Sequence, residues 1–491
     1  MFSLGIDVGS SSVKVALLDL DSGKCVSSST NPSSEAPIKS AEKGWAEQDP
    51  ESWWEYMCLG IKEIARDYDM SRVASIGISY QMHGLVALGA DMKPVRDAII
   101  WCDSRAVSTG AEALEGIGYE RCMTHLLNSP GNFTASKLAW VLRNEPQTYA
   151  RISKFMLPGD YIAYRLTGEA TTTATGLSEG IMWDFKKNCR ADFVTEYYGI
   201  SRDLYCDIVP AIGTGCRTTR GTEALLGIPE GTPVSYRAGD QPNNAFSLNV
   251  LKPGEIAATG GTSGVVYGVT DLPKADPESR VNTFLHVCPG GEPRMGVLLC
   301  INGTGILNAW CRRNVTPELS YHEMNDLAAT APVGSDGLVI LPFGNGAERV
   351  LGNRNIGARF IGLDLVRHAK EHVIRAELEG IAFSFKYGID IMKDLGLKPD
   401  VIRAGKANTF RSPVFRSTLA TLTGARIELF DTDGALGAAR GAALGAGIYS
   451  SPEEAFATLE KVDVINPEPV WEAPLAEAYA RWKEELKKTI R

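Results

Sequence analysis

No run of 18 apolar residues occurs anywhere in the chain, so no segment reads as a transmembrane helix. The first residues, Met1-Phe2-Ser3-Leu4-Gly5-Ile6-Asp7, lack the basic stretch and apolar run of a secretory signal. A basic excess is missing too. The 59 acidic residues against 50 Lys and Arg leave a net charge of −9, which argues against a broad nucleic-acid face. Ten cysteines are scattered with no C-x-x-C pair. They read as reduced thiols of a cytosolic protein, neither a zinc site nor a disulfide framework. The P-loop pattern G-x-x-x-x-G-K-[ST] and the dinucleotide pattern G-x-G-x-x-G are both absent. Among six histidines, His368 and His372 stand four apart, as on one helical face. Ala369 occupies the place where the metalloprotease pattern needs Glu, so the pair reads as two polar residues at a helix start.

What is present is an ordinary globular composition. The chain has 491 residues, 44% hydrophobic and 22% charged, enough for two or three domains. Leu4, Ile6 and Val8 alternate, as do Val13, Val15 and Leu17, around Gly9-Ser10-Ser11-Ser12. This spacing predicts a β-hairpin with a hydroxyl-rich turn. Asp49 followed by Pro50 predicts a helix start. A strand is expected at 73–79, then a second hairpin through 85–88 and 98–101. In the second half, the sequence predicts a long helix over 366–395, a strand over 401–406 and a helix over 412–423. The small residues of 434–447, GALGAARGAALGAG, suggest a tightly packed helix. The charged, amphipathic segment from Ser451 onward is expected to pack outside the second domain. Alternation of strands and helices argues for an α/β fold.

One internal repeat stands out. Residues 261–271, GTSGVVYGVTD, align with residues 9–19, GSSSVKVALLD, with Gly9 and Gly261 standing 252 residues apart. Each segment has a glycine, two hydroxyl residues and a valine-rich strand ending in Asp. A duplicated domain explains this, with both turns facing one cleft; independent convergence of two common turn compositions is the alternative.

Three places carry candidate chemistry. The turn after Asp7 has the parts of a phosphate cradle: glycine for close backbone approach, then N–H groups and hydroxyls as donors. Asp7 is placed to organise Mg²⁺ beside it, and Lys14 lies on the outgoing strand. The same parts recur at Gly260-Gly261-Thr262-Ser263, and two such turns suit a polyphosphate. The second place is Gly239-Asp240-Gln241, where a lone carboxylate could accept the proton of an alcohol during phosphoryl transfer, or simply cap the following helix. The third is Gln81-Met82-His83 at a strand end, where polar groups often line a ligand cleft; a satisfied core histidine is the plainer alternative.

These segments, in this order, resemble the FGGY carbohydrate kinases. The resemblance is carried by LGIDVGSSSVK (4–14), GWAEQDPESWW (44–54), QMHG (81–84), WCDSR (101–105), NFTASKLAWV (132–141) with Lys137 and Trp140, GDQPNNA (239–245), GGTSGVV (260–266) and GLDLVRHAKEHVIRAELEGIAF (362–383). It implies two ribonuclease-H-like domains of the actin, Hsp70 and hexokinase type around a central cleft. Residues 1–247 would form the sugar side with the first phosphate turn, and residues 248–491 the ATP side. It implies an ATP- and Mg²⁺-dependent kinase acting on the O5 hydroxyl of D-xylulose, with gluconate, ribulose or glycerol as alternative acceptors. Asp240 would be the general base and Asp7 a second catalytic carboxylate near the metal. Gln81, Met82, His83, Trp101, Asp240 and Gln241 would contact sugar. Gly9, Ser10, Ser11, Ser12, Lys14, Gly261, Thr262, Ser263, Gly305, Gly405 and Asn408 would contact nucleotide. The chain departs from the pattern at Gln241, where Asn is frequent, and at Arg403-Ala404-Gly405-Lys406-Ala407-Asn408, where a glycine run is frequent. A small sugar and ATP are the expected partners, with no nucleic acid or membrane, in a cytoplasmic protein and a possible homodimer. An actin- or Hsp70-like ATPase shares the cleft but leaves the sugar-side motifs without a role.

Overall fold

The computed structural model describes residues 1–290 and 293–490; Gly291, Glu292 and Arg491 lie outside the description. The first hairpin joins β1 (Phe2–Val8) to β2 (Val13–Asp19), with Asp7 opposite Lys14 and Val8 opposite Val13. The alternating Leu4, Ile6, Val8, Val15 and Leu17 are fully buried, as the period of two requires. After β3 (Lys24–Asn31) comes α1 (Pro50–Ile64), whose first turn is capped by the Asp49 carboxylate accepting the Glu51 N–H at 3.0 Å. β4 (Val73–Tyr80) follows, then α2 (Thr134–Asn144), β5 (Ile212–Arg217), β6 (Pro233–Gly239) and α3 (Asp240–Ser247). The strand order is β3-β2-β1-β4-β6-β5, with β1, β4 and β6 parallel and the rest antiparallel to their neighbours.

The second half repeats the plan. β7 (Glu255–Gly260), β8 (Gly264–Thr270), β9 (Asn282–Leu285) and β10 (Met295–Ile301) precede α4 (Gly305–Asn314) and the long α5 (Lys370–Asp394). Then come β11 (Val401–Gly405), β12 (Arg426–Phe430), α6 (Gly434–Gly445), β13 (Lys461–Ile465) and α7 (Pro469–Ile490). The order β10-β8-β7-β11-β12-β13 has the same parallel core, β7, β11 and β12, and the same antiparallel flanks; β9 adds one outer strand. The repeat seen in the two turns is thus a repeat of whole sheets.

Helix α6 lies on β1, β4 and β6, the sheet of the other half of the chain. Its small residues meet small residues. A Cβ on Gly5 would come within 1.8 Å of the Ala435 carbonyl oxygen, and one on Gly77 within 2.0 Å of that of Ala438. Ser3 and Ser235 donate from their hydroxyls to the carbonyls of Ala439 and Ala442, each at 2.7 Å. Backbone approach this close needs glycine on the strands, and the two serine hydroxyls add a second donor to carbonyls of the helix.

Three expectations need correction. The segments 85–88 and 98–101 do not form an extended hairpin. Leu85 and Ile99 bridge, but Val86–Leu88 pairs with Lys154–Met156 and Ala98–Ile99 with Glu47–Gln48. The loop between them folds on itself, with Gly89 donating to Lys93, so distant partners complete the ladders. The long helix begins at Lys370, not 366. His368 lies in the turn before it, its Nδ1 accepting the Asp364 N–H at 2.9 Å, and His372 Nδ1 accepts the Ala369 N–H at 3.2 Å. Both rings serve local caps. The segment after Ser451 is not merely outside the second half. β13 completes the second sheet, and Leu475, Trp482 and Leu486 of α7 enter its core, with Trp482 Nε1 donating to the Ile340 carbonyl at 3.0 Å.

Candidate active site

The parallel strands β1, β4 and β6 end side by side, and their ends deliver Asp7, the segment 81–83 and Asp240 to one place. Carboxyl ends of parallel strands are where an α/β sheet leaves a crevice for ligand. Asp240 opens α3 but does not cap it, since Gly239 is the N-cap residue. Instead its carboxylate accepts from Gln241 Nε2 at 3.1 Å and from the Met82 backbone N–H. Burial, then the charge of Asp7, pushes its pKa up to about 7. Burial raises Asp7 as well, opposed by a hydrogen bond from Ser79. Lys14, opposite Asp7, pairs at 2.7 Å with Asp433, which also caps α6 by accepting the Leu436 N–H at 2.9 Å. A Cβ on Gly434 would stand 2.3 Å from Asp7 Oδ2, so the N-terminus of α6 and the Asp7 carboxylate are in direct contact.

His83 has φ +63, a left-handed conformation uncommon for a non-glycine residue. Its Nδ1 lies 2.9 Å from the Glu179 carbonyl, which can only accept, so Nδ1 carries the proton. Burial and then Lys137 lower its pKa to about 3, so the ring is neutral and Nε2 remains an acceptor. The buried Lys137 of α2 donates to the carbonyls of His83 at 2.8 Å and Ile100 at 3.0 Å, fixing two loops at once. Arg105 lies over the rings of Trp45 and Trp140, which meet edge to face, its guanidinium carbon 3.9 and 5.0 Å from the two ring centres, and pairs with Asp103 and Glu47 at 2.7 Å. The segments 44–54, 101–105 and 132–141 are therefore one scaffold behind the strand ends.

Not every sequence-derived residue faces the crevice. Gln81 is 3% exposed and donates to Gln48 at 3.3 Å behind the first turn. Met82 is 4% exposed and reaches Asp240 through its backbone. Trp101 is 53% exposed, with Nε1 3.4 Å from Ser10 Oγ, and so stands beside the first turn. In that turn Gly9 donates to the Ser12 carbonyl at 3.0 Å, while the carbonyls of Ser10 and Ser11 are held by Gln48 and Ala36 at 2.7 Å.

The second turn borders a cavity of about 390 Å³ lined by Gly261, Thr262, Gly305, Asn308, Tyr321, Asn325, Asn408, Arg411 and Ser412 among others. Helix α4 starts against it. Gly305 donates to the Gly261 carbonyl at 3.0 Å and Ile306 to that of Thr262 at 3.1 Å. Asn408 lines the same cavity at φ +50. Gly405 does not line it, and Ser263 is not among its lining residues. Asn308, Tyr321, Asn325 and Arg411 went unnoticed in the sequence because no motif marks them; they meet only through folding. Arg349 was missed likewise. It follows Glu348, whose carboxylate accepts the Asn302 and Gly303 N–H groups at 2.9 and 3.0 Å. Its guanidinium carbon lies 5.8 Å from the Phe133 ring, across from the other half of the chain.

Among the described residues no three His, Cys, Asp or Glu groups are arranged to hold a metal, and no helix is long and apolar enough to cross a membrane.

The profile of the FGGY family of carbohydrate kinases, N-terminal domain, matches residues 2–247, and that of its C-terminal domain residues 256–449. The chain is 30% identical over 460 residues to xylulose kinase of Escherichia coli K12, covering 93% of this chain and 92% of that protein. It is 31% identical over 513 residues to xylulose kinase of Lactococcus lactis, covering 99% and 97%. The crystal structure of xylulose kinase from Rhodospirillum rubrum superposes with a TM-score of 0.88 at 25% identity over 99% of each chain. Gluconate kinase from Lactobacillus acidophilus, at 23% identity and TM-score 0.89, covers 100% of this chain and 98% of its own, and shares the fold. The two-sheet α/β architecture, the paired turns and these matches agree, and the chain belongs to the FGGY family of carbohydrate kinases.

Proposed function

We propose that this sugar kinase transfers the γ-phosphoryl group of ATP to the O5 hydroxyl of D-xylulose, with Asp240 as general base. The observation that carries the reading is the state of Asp240. It is fixed by Gln241 and the Met82 N–H, and its pKa is raised to about 7, where a base best balances availability against proton affinity. The choice of D-xylulose rests on relatives that carry that activity in their names at about 30% identity.

In this reading the 5-hydroxyl lies against Asp240, which takes its proton as the oxygen bonds to phosphorus and the bond to ADP breaks. The turns at 9–12 and 261–263 grip the phosphates with backbone N–H groups and hydroxyls. Lys14, tied to Asp433, keeps positive charge beside Asp7. The cavity at Gly305, Asn308, Tyr321 and Asn408 takes the nucleoside end, and Gly405 supports it from the end of β11. His83 accepts a sugar hydroxyl at Nε2, and Gln81 and Trp101 hold the walls through Gln48 and Ser10. Positioning alone supplies several kcal/mol, by effective molarities up to roughly 10⁵–10⁸ M.

The residues fit Mg²⁺. Burial, with the charge of Asp433 adding to it, raises the proton affinity of Asp7, which borders the phosphate turn without a direct ion pair of its own among the described residues. Magnesium is commonly held by one or two carboxylates plus substrate phosphates, which suits an isolated Asp7 better than a protein-only cage. Bound there, the ion would neutralise phosphate charge.

We divide the roles at 247/248, sugar side before and nucleotide side after, in a cytoplasmic enzyme. ³¹P and ¹³C NMR of the product made from ATP and D-xylulose tests the reaction. Phosphorus coupled through two bonds to C5, with the accompanying three-bond coupling to C4, is expected; attachment at another carbon, or no sugar phosphate, overturns the assignment.

A further inference from the structure

We propose that Arg349 is a specificity-determining, substrate-binding residue that donates to oxygens at the end of the sugar opposite the phosphorylated hydroxyl. The proposal rests on the sugar-kinase reading above.

Arg349 starts a short helical turn, Arg349–Leu351, in the second half of the chain. It makes no ion pair and no hydrogen bond among the described residues. Of the buried arginines, Arg105 pairs with Asp103 and Glu47, Arg237 with Asp160 and Arg375 with Glu379, while Arg440 reaches only the Thr432 hydroxyl at 3.5 Å and the Gly23 carbonyl at 3.4 Å. Its neighbour Glu348 is committed to the Asn302 and Gly303 amides. Arg349 is half-buried, and its unpaired guanidinium nitrogens stay accessible, so their donors are available to a ligand in the crevice. A planar fork of donors matches two adjacent oxygens.

Its position along the crevice follows from what lies beside it. Arg349 opposes protonation of His83, and it acts on the Cys300 thiol, which also feels Asp240. Its guanidinium stands 5.8 Å from Phe133, whose ring packs edge-on to His83 at 4.7 Å. Among the described residues Arg349 pairs with neither Asp7 nor Asp240; it stands beside Phe133 and His83 instead. Phosphate lies at the Asp7 end and the accepting hydroxyl at Asp240, so Arg349 meets the far end of the acceptor. There the site offers one acceptor, His83 Nε2, and a fork of donors. That chemistry fits the hydroxyl and carbonyl oxygens at C1 and C2 of a ketose, and a C1 carboxylate more strongly. Because Arg349 comes from the opposite half of the chain, sugar bound on the first half would also engage the second.

The test compares wild type, Arg349→Gln and Arg349→Lys with D-xylulose, 1-deoxy-D-xylulose and D-gluconate, the last as substrate or competitive inhibitor. Arg349→Gln is expected to raise the KM for D-xylulose about 10- to 100-fold, the scale of a lost charged hydrogen bond. KM for ATP should change less than about twofold on the same scale. The loss should shrink for the 1-deoxy analogue and grow for gluconate. Arg349→Lys, which keeps charge but not the fork, should fall between. Thermal unfolding of Arg349→Gln should match or exceed wild type, because an unpaired charge is removed, and that of Arg349→Lys, which keeps the charge, should stay near wild type. Unchanged sugar KM, or equal losses for all three acceptors and ATP, overturns the proposal alone. Absence of turnover by wild type with every acceptor overturns the kinase reading and this proposal with it.

Discussion

Asp7 and Asp240 stand at the ends of two strands that run parallel with β4 between them, and the charge of Asp7 adds to burial in raising the pKa of Asp240 to about 7. The pair separates two tasks. Asp240 is poised to take a proton, and Asp7 faces the phosphate turn and the N-terminus of α6, where helix dipole and Lys14 favour negative charge.

The pH profile should show this directly. Only ionised Asp240 accepts a proton, so kcat/KM for sugar should fall about tenfold per pH unit below about pH 7. An acid limb near pH 4 would mean that Asp240 titrates like an ordinary carboxylate and is not the base.

Asp240→Asn should lower kcat by about 10²–10⁴-fold with the fold intact. Its stability should move the other way. The folded-state pKa, about 7, lies above the ordinary 3.8, so the folded form holds its proton more tightly. That contribution is fully present below about pH 4 and is lost as pH rises through about 7. Unfolding midpoints of the variant should therefore exceed wild type at pH 8 and converge with it near pH 4.

Gly5→Ala and Gly77→Ala should each destabilise the protein by about 1–3 kcal/mol, the range for overpacked sites. Their methyl groups would stand 1.8 and 2.0 Å from carbonyls of α6. Urea denaturation reads the loss. Because α6 presents its N-terminus to Asp7, sugar kinase activity should fall as well.

Gly305→Ala should act on nucleotide alone. The added Cβ would lie 2.3 Å from the Gly261 carbonyl and push the second turn out of place. KM for ATP should rise about tenfold or more, with KM for sugar little altered, because the contacts of Gly305 are with the second turn and its cavity; a tenfold rise corresponds to about 1.4 kcal/mol. Steady-state kinetics with each substrate varied separates the two.

What could be read from the sequence was local or sequentially ordered. The hairpins at 2–19 and 255–270 carry their own alternation and turns, and Asp240 lies in a recognisable segment. What escaped was set by contacts between distant parts. No short pattern says that 434–445 crosses to the first sheet, though its small residues announced close packing. Val86–Leu88 had a local partner in the sequence and found Lys154–Met156 instead. Trp482 and Leu486 looked like a tail's apolar face and fill a core. Gln81 looked like a sugar ligand because it is a polar residue at a strand end. Strand alternation turns its side chain to Gln48, while the left-handed backbone at His83 redirects the next residue. Arg349 had no motif around it, and only the fold sets it against Phe133.

ADP release by a coupled assay, run in parallel with D-xylulose, D-ribulose, L-ribulose, gluconate, glycerol and no sugar, tests the central claim most directly. Selective turnover with D-xylulose, lost in Asp240→Asn, is the predicted result. Turnover independent of any sugar, or undiminished in Asp240→Asn, would contradict it.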